Sequence, residues 1–332
     1  MTVLLVTGGT GFLGSYVLKA LDNEENKKRF TFDTVRLLVR NKRKAEEITL
    51  ENFKLEVFEG NLTNKTSLEK ASVGVSHVIH IAALYDIKGS WRDFKEANID
   101  GTANLLASLH PGTVFVLTST YGVYGFSSNK GKPITEDFDD WKPFWHYQKS
   151  KAEQETLAWK MSKELGIHLA VVRPPNIIGP GDMPGAYNIC KNLEEGNLIL
   201  TRGGKGWVPV AHPTSVAWVH IELLARAKEL EGEVFHVVDF HARSKDYFNA
   251  YAKALGLKPL KRSVPYPLLY IIATLLDWLP INSDITRFSI KFIGANDQLD
   301  TTKAEEKLGF RSQYDLESVI SEVVEWYKSL PA

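Results

Sequence analysis

The chain has 332 residues, of which 44% are hydrophobic and 24% are charged. This length and composition allow a large buried core, and they suit two domains or one large α/β domain with an appended lobe. Lysine plus arginine and aspartate plus glutamate number 40 each, so the charge balance gives no reason to expect a nucleic-acid partner. The single cysteine, Cys190, excludes an intramolecular disulfide, and the histidines lack ligand-like spacing, so we expect no bound metal.

Short apolar segments alternate with helical patterns in the first half of the chain. The helical patterns cover Gly11–Leu21, Phe94–Leu109 and Tyr147–Leu165. The apolar segments predict strands buried on both faces, at Val3–Val6, Thr34–Val39, Leu55–Glu59, Val75–Ile81, Thr113–Thr118 and His168–Arg173. This alternation is typical of βαβ units, so residues 1–173 are predicted to form an α/β domain with a doubly wound parallel sheet. The charged stretch Asn23–Arg29 is expected to be a solvated loop.

The second half of the chain has a looser pattern. Prolines and glycines after Arg173 mark an irregular crossover, and the short strands Val208–Val210 and Val234–Val238 follow among helices. We therefore expect residues 174–332 to form mainly a smaller C-terminal α/β substrate lobe, with some segments returning to the first sheet. Such a lobe would stand at the carboxyl ends of the strands, where open α/β sheets bind ligands.

The longest strongly apolar run, Tyr266–Leu279, is too short to span a bilayer, which takes roughly 20 residues. We expect a buried or ligand-lining helix there. The alternative is an interfacial patch, through which residues 266–279 contact a membrane. Because the first strand is predicted to begin at Thr2, we expect no signal peptide and a cytoplasmic location.

A glycine-rich turn, TGGTGFLG at residues 7–14, follows the first strand and opens a helix. Glycines there permit a tight turn and close approach of the backbone to a pyrophosphate, and the helix N-terminus supplies free N–H groups. The context predicts a Rossmann-type dinucleotide site. At the end of the second strand stands Arg40, where an NAD site usually has an acid, so we expect NADP(H), with NAD(H) less favoured. The alternative for Arg40 is a solvated basic turn.

Tyr147 and Lys151 lie four residues apart at the start of a predicted helix and therefore share one face. A nearby ammonium stabilises a phenolate and lowers the tyrosine pKa, which suits general acid–base catalysis. Thr118, Ser119 and Thr120 end a strand 27 residues before the pair, and a hydroxyl there would hydrogen-bond the same carbonyl oxygen. We predict Thr120 as that hydroxyl, with Ser119 as the alternative.

Together these features resemble the extended short-chain dehydrogenase/reductase superfamily, relatives of the NAD-dependent epimerases and dehydratases. Within it the chain looks most like the dihydroflavonol-reductase and 3β-hydroxysteroid-dehydrogenase branch. The motifs occur in the family's order over nearly the whole chain: TGGTGFLG at 7–14, HIAA at 80–83, NIDGTANLL at 98–106, LTSTYGVYG at 117–125, YQKSK at 147–151, RPPNIIGPGD at 173–182 and LDTTKAEEKLGF at 299–310.

The resemblance implies a role for each matching residue. The catalytic set would be Thr120, Tyr147 and Lys151, with Asn98 holding a water in the proton relay. The cofactor would be bound by Gly8, Gly11, Phe12, Leu13, Gly14, Arg40, Asn61, Leu62, Ala82, Ala83, Thr118, Tyr147, Lys151, Pro174, Asn176 and Ile177. The resemblance also leaves open that the protein forms a homodimer.

Two departures from the family pattern bear on the substrate. The arginine that clamps a diphosphate in nucleotide-sugar members has no counterpart at Val208–Ser215, although Arg202 and Lys205 lie nearby. Aromatic residues crowd the motifs instead, which suggests an apolar pocket. Among the residues near the motifs, those expected to contact substrate are Tyr85, Ser119, Trp145 and His146.

The sequence thus predicts an NADP(H)-dependent oxidoreductase that interconverts a carbonyl and a secondary alcohol on an apolar or aromatic small molecule, such as a flavonoid, steroid or ketone. Two other functions stay open. One is a nucleotide-sugar epimerase or dehydratase with tightly bound NAD, and the other is a non-enzymatic NADP(H)-sensing regulator.

Overall fold

A seven-stranded parallel sheet forms the centre of the molecule. The computed structural model describes residues 2–86, 89–126, 129–130, 132–276 and 285–331. The sheet runs in the order β11-β7-β5-β4-β1-β2-β3, and its strands are β1 (Val3–Thr7), β2 (Thr34–Val39), β3 (Lys54–Glu59), β4 (Val75–His80), β5 (Val114–Thr118), β7 (His168–Arg173) and β11 (Val234–His236). Short strands outside it are β6 (Pro133–Ile134), β8 (Asn176–Ile177), β9 (Leu200–Thr201), β10 (Trp207–Ala211), β12 (Phe240–Arg243), β13 (Ser263–Val264) and β14 (Gln298–Leu299).

The part of the chain that the structure describes forms thirteen α-helices, of which two groups pack on the faces of this sheet. They are α1 (Phe12–Leu21), α2 (Glu24–Arg29), α3 (Lys65–Ala71), α4 (Trp91–Phe94), α5 (Gly101–Ala107), α6 (His146–Leu165), α7 (Asn188–Glu194), α8 (Pro213–Ala225), α9 (Ser244–Ala254), α10 (Tyr266–Leu276), α11 (Arg287–Ile293), α12 (Thr302–Leu308) and α13 (Leu316–Ser329). One apolar core joins the sheet to α1, α8 and α12. A second joins it to α3, α5 and α6. The prediction of a Rossmann-type doubly wound fold is therefore confirmed.

The second half of the chain contributes to both parts of the molecule. Its strand β11 pairs with β7 at the edge of the central sheet, and its helix α8 packs against α1. The remainder builds a smaller unit in which β8, β10 and β12 form a sheet and α7, α9 and α13 share an apolar core with it. We propose residues 1–173 as the dinucleotide-binding part and this unit as the substrate lobe.

One local expectation from the sequence is wrong, and another holds with an internal irregularity. Asn23–Arg29 is not a loop, because Asn23 caps helix α2 by accepting a hydrogen bond from the Asn26 amide. Acidic residues then fill the first turn and basic residues the last, which complements the helix dipole. The predicted helix Phe94–Leu109 is divided by a π-helical segment, Lys95–Asp100, between α4 and α5. Segments of this kind often occur at functional sites.

The apolar run 266–279 also departs from expectation. Its described part forms helix α10, in which only Leu269 and Ala273 are buried, so a buried helix is the wrong description; residues 277–279 lie outside the described part of the chain. Among the described residues, no helix is both long enough and apolar enough to cross a membrane.

A buried ion pair fixes α6 against the central sheet. The guanidinium of Arg173, at the end of β7, lies 2.5 Å from the Glu155 carboxylate on α6, and the two side chains are 5% and 0% exposed. Arg173 also donates to the Tyr124 hydroxyl and to the Glu136 backbone carbonyl. These extra hydrogen bonds offset the cost of burying two charges.

Replacing Arg173 by Met should lower the free energy of unfolding by about 3–5 kcal/mol, because the Glu155 carboxylate would stay buried without its partner. Urea titration of the purified proteins measures this change. The matched control is Lys160→Met, which removes an exposed pair with Glu164 on the same helix and should cost less than ~0.5 kcal/mol. Equal losses in the two variants would contradict the structural role of the buried pair.

Candidate active site

The glycine loop between β1 and α1 has the close contacts that a dinucleotide cradle needs. Gly8 has φ +77°, a conformation that L side chains rarely adopt. A Cβ on Gly14 would lie 2.1 Å from the Gly8 carbonyl oxygen, so only glycine fits there. The loop ends at Gly11, the N-cap of α1, and the amide groups of the first helical turn are available to a phosphate. The residues present therefore fit a pyrophosphate.

The walls of this cradle come from three parts of the chain. Leu13 is buried in the core beneath α1. Phe12 stands at the opening, where a Cβ on Gly181 would be 3.3 Å from its ring. On the opposite side, the Ala82 amide donates to the Thr7 hydroxyl, which fixes the backbone of Ala82 and Ala83 beside the loop.

The residues predicted to contact the adenosine end are at the surface. Arg40 directly follows β2 and is exposed. Asn61 follows β3, is exposed, and accepts from the Thr63 amide. The backbone carbonyl of Leu62 accepts from Asn104. All three residues thus stand at the carboxyl ends of neighbouring strands of the parallel sheet.

Lys151 is buried beside the carboxyl end of β5. Its side chain is among the largest that are fully enclosed, and its ammonium donates to the Thr118 carbonyl at 2.6 Å. Burial lowers the pKa of Lys151 to about 7, and the Glu155 carboxylate one turn further along α6 opposes this fall. The hydroxyl of Thr118 lies 2.7 Å from Nε2 of His220.

Tyr147 lies in a group of aromatic rings. Its ring centroid is 4.9 Å from that of Tyr85 and 5.5 Å from that of Trp145. Burial raises the pKa of the Tyr147 phenol well above its ordinary value, and Tyr85 adds to the rise. The expectation that Lys151 lowers this pKa is therefore wrong for the structure described, in which the phenol is protonated at neutral pH and is a weaker acid than a free tyrosine. Trp145 in turn lies 4.2 Å from Phe288 of α11, centroid to centroid.

The two neighbouring hydroxyls after β5 have different surroundings. Ser119 is buried and donates to the Glu155 carboxylate at 2.5 Å. Thr120 is partly exposed in an extended conformation, and its hydroxyl accepts from the Gly122 amide. The Ser119 hydroxyl is thus engaged in the core, and Thr120 is the one that remains partly accessible.

The Asn98 side chain holds backbone rather than reaching Lys151. It lies in the π-helical segment, accepts from the Leu84 amide at 2.7 Å and donates to the Ser150 hydroxyl at 2.9 Å. Its contacts join the segment after β4 to α6, one residue before Lys151. The side chain therefore serves to position both segments.

The remaining predicted residues lie around the same cleft. The Pro174 carbonyl accepts from the Tyr121 amide, and Asn176 and Ile177 form β8, with the Asn176 side chain donating to the Pro209 carbonyl. His146 is exposed at the start of α6, with Nδ1 3.4 Å from the Gly89 carbonyl oxygen.

Two groups near the site were missed from the sequence. One is the buried His80, which lies 2.6 Å from the Thr7 hydroxyl and 2.8 Å from that of Thr102; it stands in the quoted HIAA motif, so the signal was present. The other is Phe288, which comes from the far end of the chain and carries no local signal.

The chain is similar to known proteins both in sequence and in fold. Residues 4–237 match the NAD dependent epimerase/dehydratase family. The chain belongs to that family. It is also 26% identical to the sterol-4-alpha-carboxylate 3-dehydrogenase erg26, decarboxylating, of Schizosaccharomyces pombe, over 96% of this chain and 95% of that one.

Solved structures show the same fold at lower identity. The dTDP-glucose 4,6-dehydratase DesIV of Streptomyces venezuelae, solved with NAD, superposes with a TM-score of 0.77 at 23% identity, covering 98% of this chain and 97% of that one. The UDP-glucose 4-epimerase of Thermus thermophilus, also with NAD, gives 0.70 at 21% identity over 99% of both chains.

Family membership confirms three predictions from the sequence. The extended short-chain dehydrogenase/reductase resemblance is correct, the protein is an enzyme that acts on CH–OH or carbonyl groups, and its cofactor is a nicotinamide dinucleotide.

The histidines around the site should make stability depend on pH. Burial lowers the pKa of His80 to about 3, of His220 to about 4 and of His236 to about 3. Near pH 5 the unfolded chain, with histidine pKa values of about 6.5, binds protons that the folded chain does not. The folded state is therefore fully favoured above pH 6.5 and loses stability as the pH falls towards 4.

Each of these histidines should contribute a slope of about 1.4 kcal/mol per pH unit to the free energy of unfolding between pH 6 and 4.5. Urea titrations across that range measure the slope. His220→Gln should reduce this slope by the contribution of one histidine. The glutamine amide provides polar atoms in place of the two ring nitrogens, which contact Thr118 and the Val216 carbonyl. An unchanged slope in this variant would show that His220 is protonated in the folded protein.

Proposed function

We propose that this protein is an NADP(H)-dependent reductase or dehydrogenase that interconverts a ketone and a secondary alcohol on an apolar or aromatic molecule. The observation that carries the proposal is the phenol of Tyr147, kept protonated by burial and surrounded by aromatic rings. Thr120 and Lys151 stand on the adjoining end of β5 and on the same helix, respectively. A protonated donor beside an apolar wall suits reduction of an apolar carbonyl compound.

The cofactor would be held by groups on both sides of the sheet. The glycine loop takes the pyrophosphate, and Arg40 takes the 2′-phosphate of the adenosine ribose. Lys151, whose ammonium donates to the Thr118 carbonyl, would be the cation that holds the nicotinamide ribose hydroxyls. When bound, the nicotinamide supplies or accepts the hydride.

Two side chains act on the substrate oxygen, and a third stabilises the phenolate left behind. Thr120 donates a hydrogen bond that stabilises the developing negative charge. Tyr147 donates its proton to that oxygen, and the resulting phenolate is stabilised by the Lys151 ammonium. Because the pKa of Lys151 is lowered to about 7, about half of the ammonium is deprotonated at pH 7 and the charged form predominates below it. Reduction should therefore weaken as the pH rises through 7.

The aromatic wall favours an apolar substrate over a nucleotide sugar. The Tyr147 ring forms this wall together with Tyr85, Trp145 and Phe288. In the lobe, the guanidinium carbon of Arg243 lies 3.8 Å from the ring centroid of Trp207. An aromatic wall of this kind suits an apolar substrate better than a diphosphate, for which bidentate arginine is a common partner. The sterol dehydrogenase relative points in the same direction. The nucleotide-sugar enzyme remains the second candidate, supported by the fold of DesIV and of the epimerase.

Arg40→Ala should raise the KM for NADPH roughly 10- to 150-fold, which corresponds to losing one charged hydrogen bond of about 1.5–3 kcal/mol. The KM for NADH serves as the internal control and should hardly change, because NADH lacks the 2′-phosphate. Steady-state kinetics with both cofactors give the answer. A wild-type enzyme that uses NADH as well as NADPH would contradict the cofactor preference.

Tyr147→Phe keeps the aromatic packing and removes only the hydroxyl. Turnover of a ketone should fall by about 10²–10⁴-fold, while NADPH affinity, measured by fluorescence titration, stays near the wild-type value. The ketone is to be found by screening flavonoid, steroid and aliphatic compounds.

The matched control is Tyr327→Phe, which removes a partly exposed phenol on α13 that hydrogen-bonds Glu194 and lies outside the aromatic wall. Its turnover should stay within a few-fold of wild type. A Tyr147→Phe enzyme as active as Tyr327→Phe would exclude Tyr147 as the proton donor and would require another acid for the same reduction.

A further inference from the structure

Helix α10 presents an apolar face to solvent. Leu268, Ile271, Ile272 and Leu275 are 51%, 58%, 38% and 62% exposed. Their spacing of i, i+3, i+4 and i+7 places them on one side of the helix, and the opposite side buries Leu269 and Ala273. We call these four residues the α10 face. Exposing adjacent large aliphatic side chains is costly in water, so such a patch usually has an occupant.

Positive charge accompanies this face. Residues 247–276 contain four basic residues and no aspartate or glutamate. Lys258, Lys261 and Arg262 are exposed just before the helix begins. Arg202 is exposed at the same end, its guanidinium 4.5 Å from the ring centroid of Tyr266. The chain as a whole is neutral, so this is a local concentration of charge around one apolar face.

The α10 face is connected to the active site through α11. The buried side of α10 packs on Ile290 of α11, and Phe288 of the same helix lies against Trp145 beside Tyr147. The exposed helix thus backs onto the aromatic wall of the cleft.

We propose that the α10 face docks on a lipid bilayer that contains anionic headgroups. The aliphatic side chains enter the boundary between headgroups and acyl chains, and the flanking lysines and arginines bind the lipid phosphates. The positive flank favours a bilayer over a second copy of this chain, because two copies placed face to face would bring like charges together. The further step, that docking delivers an apolar substrate to the cleft, rests on the proposed function.

Co-sedimentation with phosphatidylcholine vesicles, with and without phosphatidylglycerol, tests docking without any need for turnover. The wild-type protein should bind the anionic vesicles, bind the neutral ones much more weakly, and be released by high salt, which screens the headgroup charge. The double variant Ile271→Glu/Leu275→Glu should lose at least tenfold in vesicle affinity. Lys261→Ala and Arg262→Ala should each lose roughly fivefold, about 1 kcal/mol.

Matched controls lie away from α10. Val73→Glu adds a charge at another exposed apolar residue, 66% exposed, and Lys28→Ala removes a cation from the surface of α2; both should bind vesicles like wild type. Circular dichroism confirms that each variant is folded. Light scattering identifies the rival occupant: a dimer that the double variant converts to monomer, in a protein that ignores vesicles, would overturn the proposal.

The outcome also separates docking from the proposed reaction. Vesicle binding that depends on α10 supports docking even if no ketone is reduced, in which case only the proposed function fails. Ketone reduction by a protein that does not bind anionic vesicles would overturn docking and leave the proposed function standing.

Discussion

The enclosed ammonium of Lys151 is the constraint on which the rest of the site depends. An amine withdrawn from water costs free energy unless it is hydrogen-bonded, and here it donates to the Thr118 carbonyl. The cost is visible in a pKa lowered to about 7. An ammonium with a pKa of about 7 is only partly charged at neutral pH. It can remain at the end of β5 only if α6, the helix that carries Lys151, is held in place.

The structure fixes that helix by polar contacts on several sides. Glu155, one turn beyond Lys151, is paired with Arg173 and accepts from Ser119. One residue before Lys151, the Ser150 hydroxyl accepts from Asn98. These contacts explain why the site has so many buried polar groups. Its histidines are held neutral mainly by burial, to which repulsion by Lys151 adds at His80.

Much of this could be predicted from the sequence, because the signals are local. The strands Thr34–Val39 and His168–Arg173 have the predicted bounds, and the other four of the first half differ by one residue at an end. The glycine loop was predictable because its spacing is set by contacts within seven residues, such as that of Gly14 with the Gly8 carbonyl. The sequence alone could not predict features that depend on contacts between residues far apart in the chain. Ser119 and Thr120 are chemically alike, and only the distant Glu155 separates them. Phe288 contacts Trp145 from a distant part of the chain, and the exposure of α10 depends on how the other described residues pack around it.

The most direct test of the account is isotope transfer from NADPH deuterated at the nicotinamide C4 position. The account predicts that, with a ketone from the flavonoid, steroid and aliphatic panel, deuterium appears on the carbinol carbon of the product and that one equivalent of NADPH is oxidised per alcohol formed. Tight binding of NADPH without transfer of label to any ketone of the panel would contradict it.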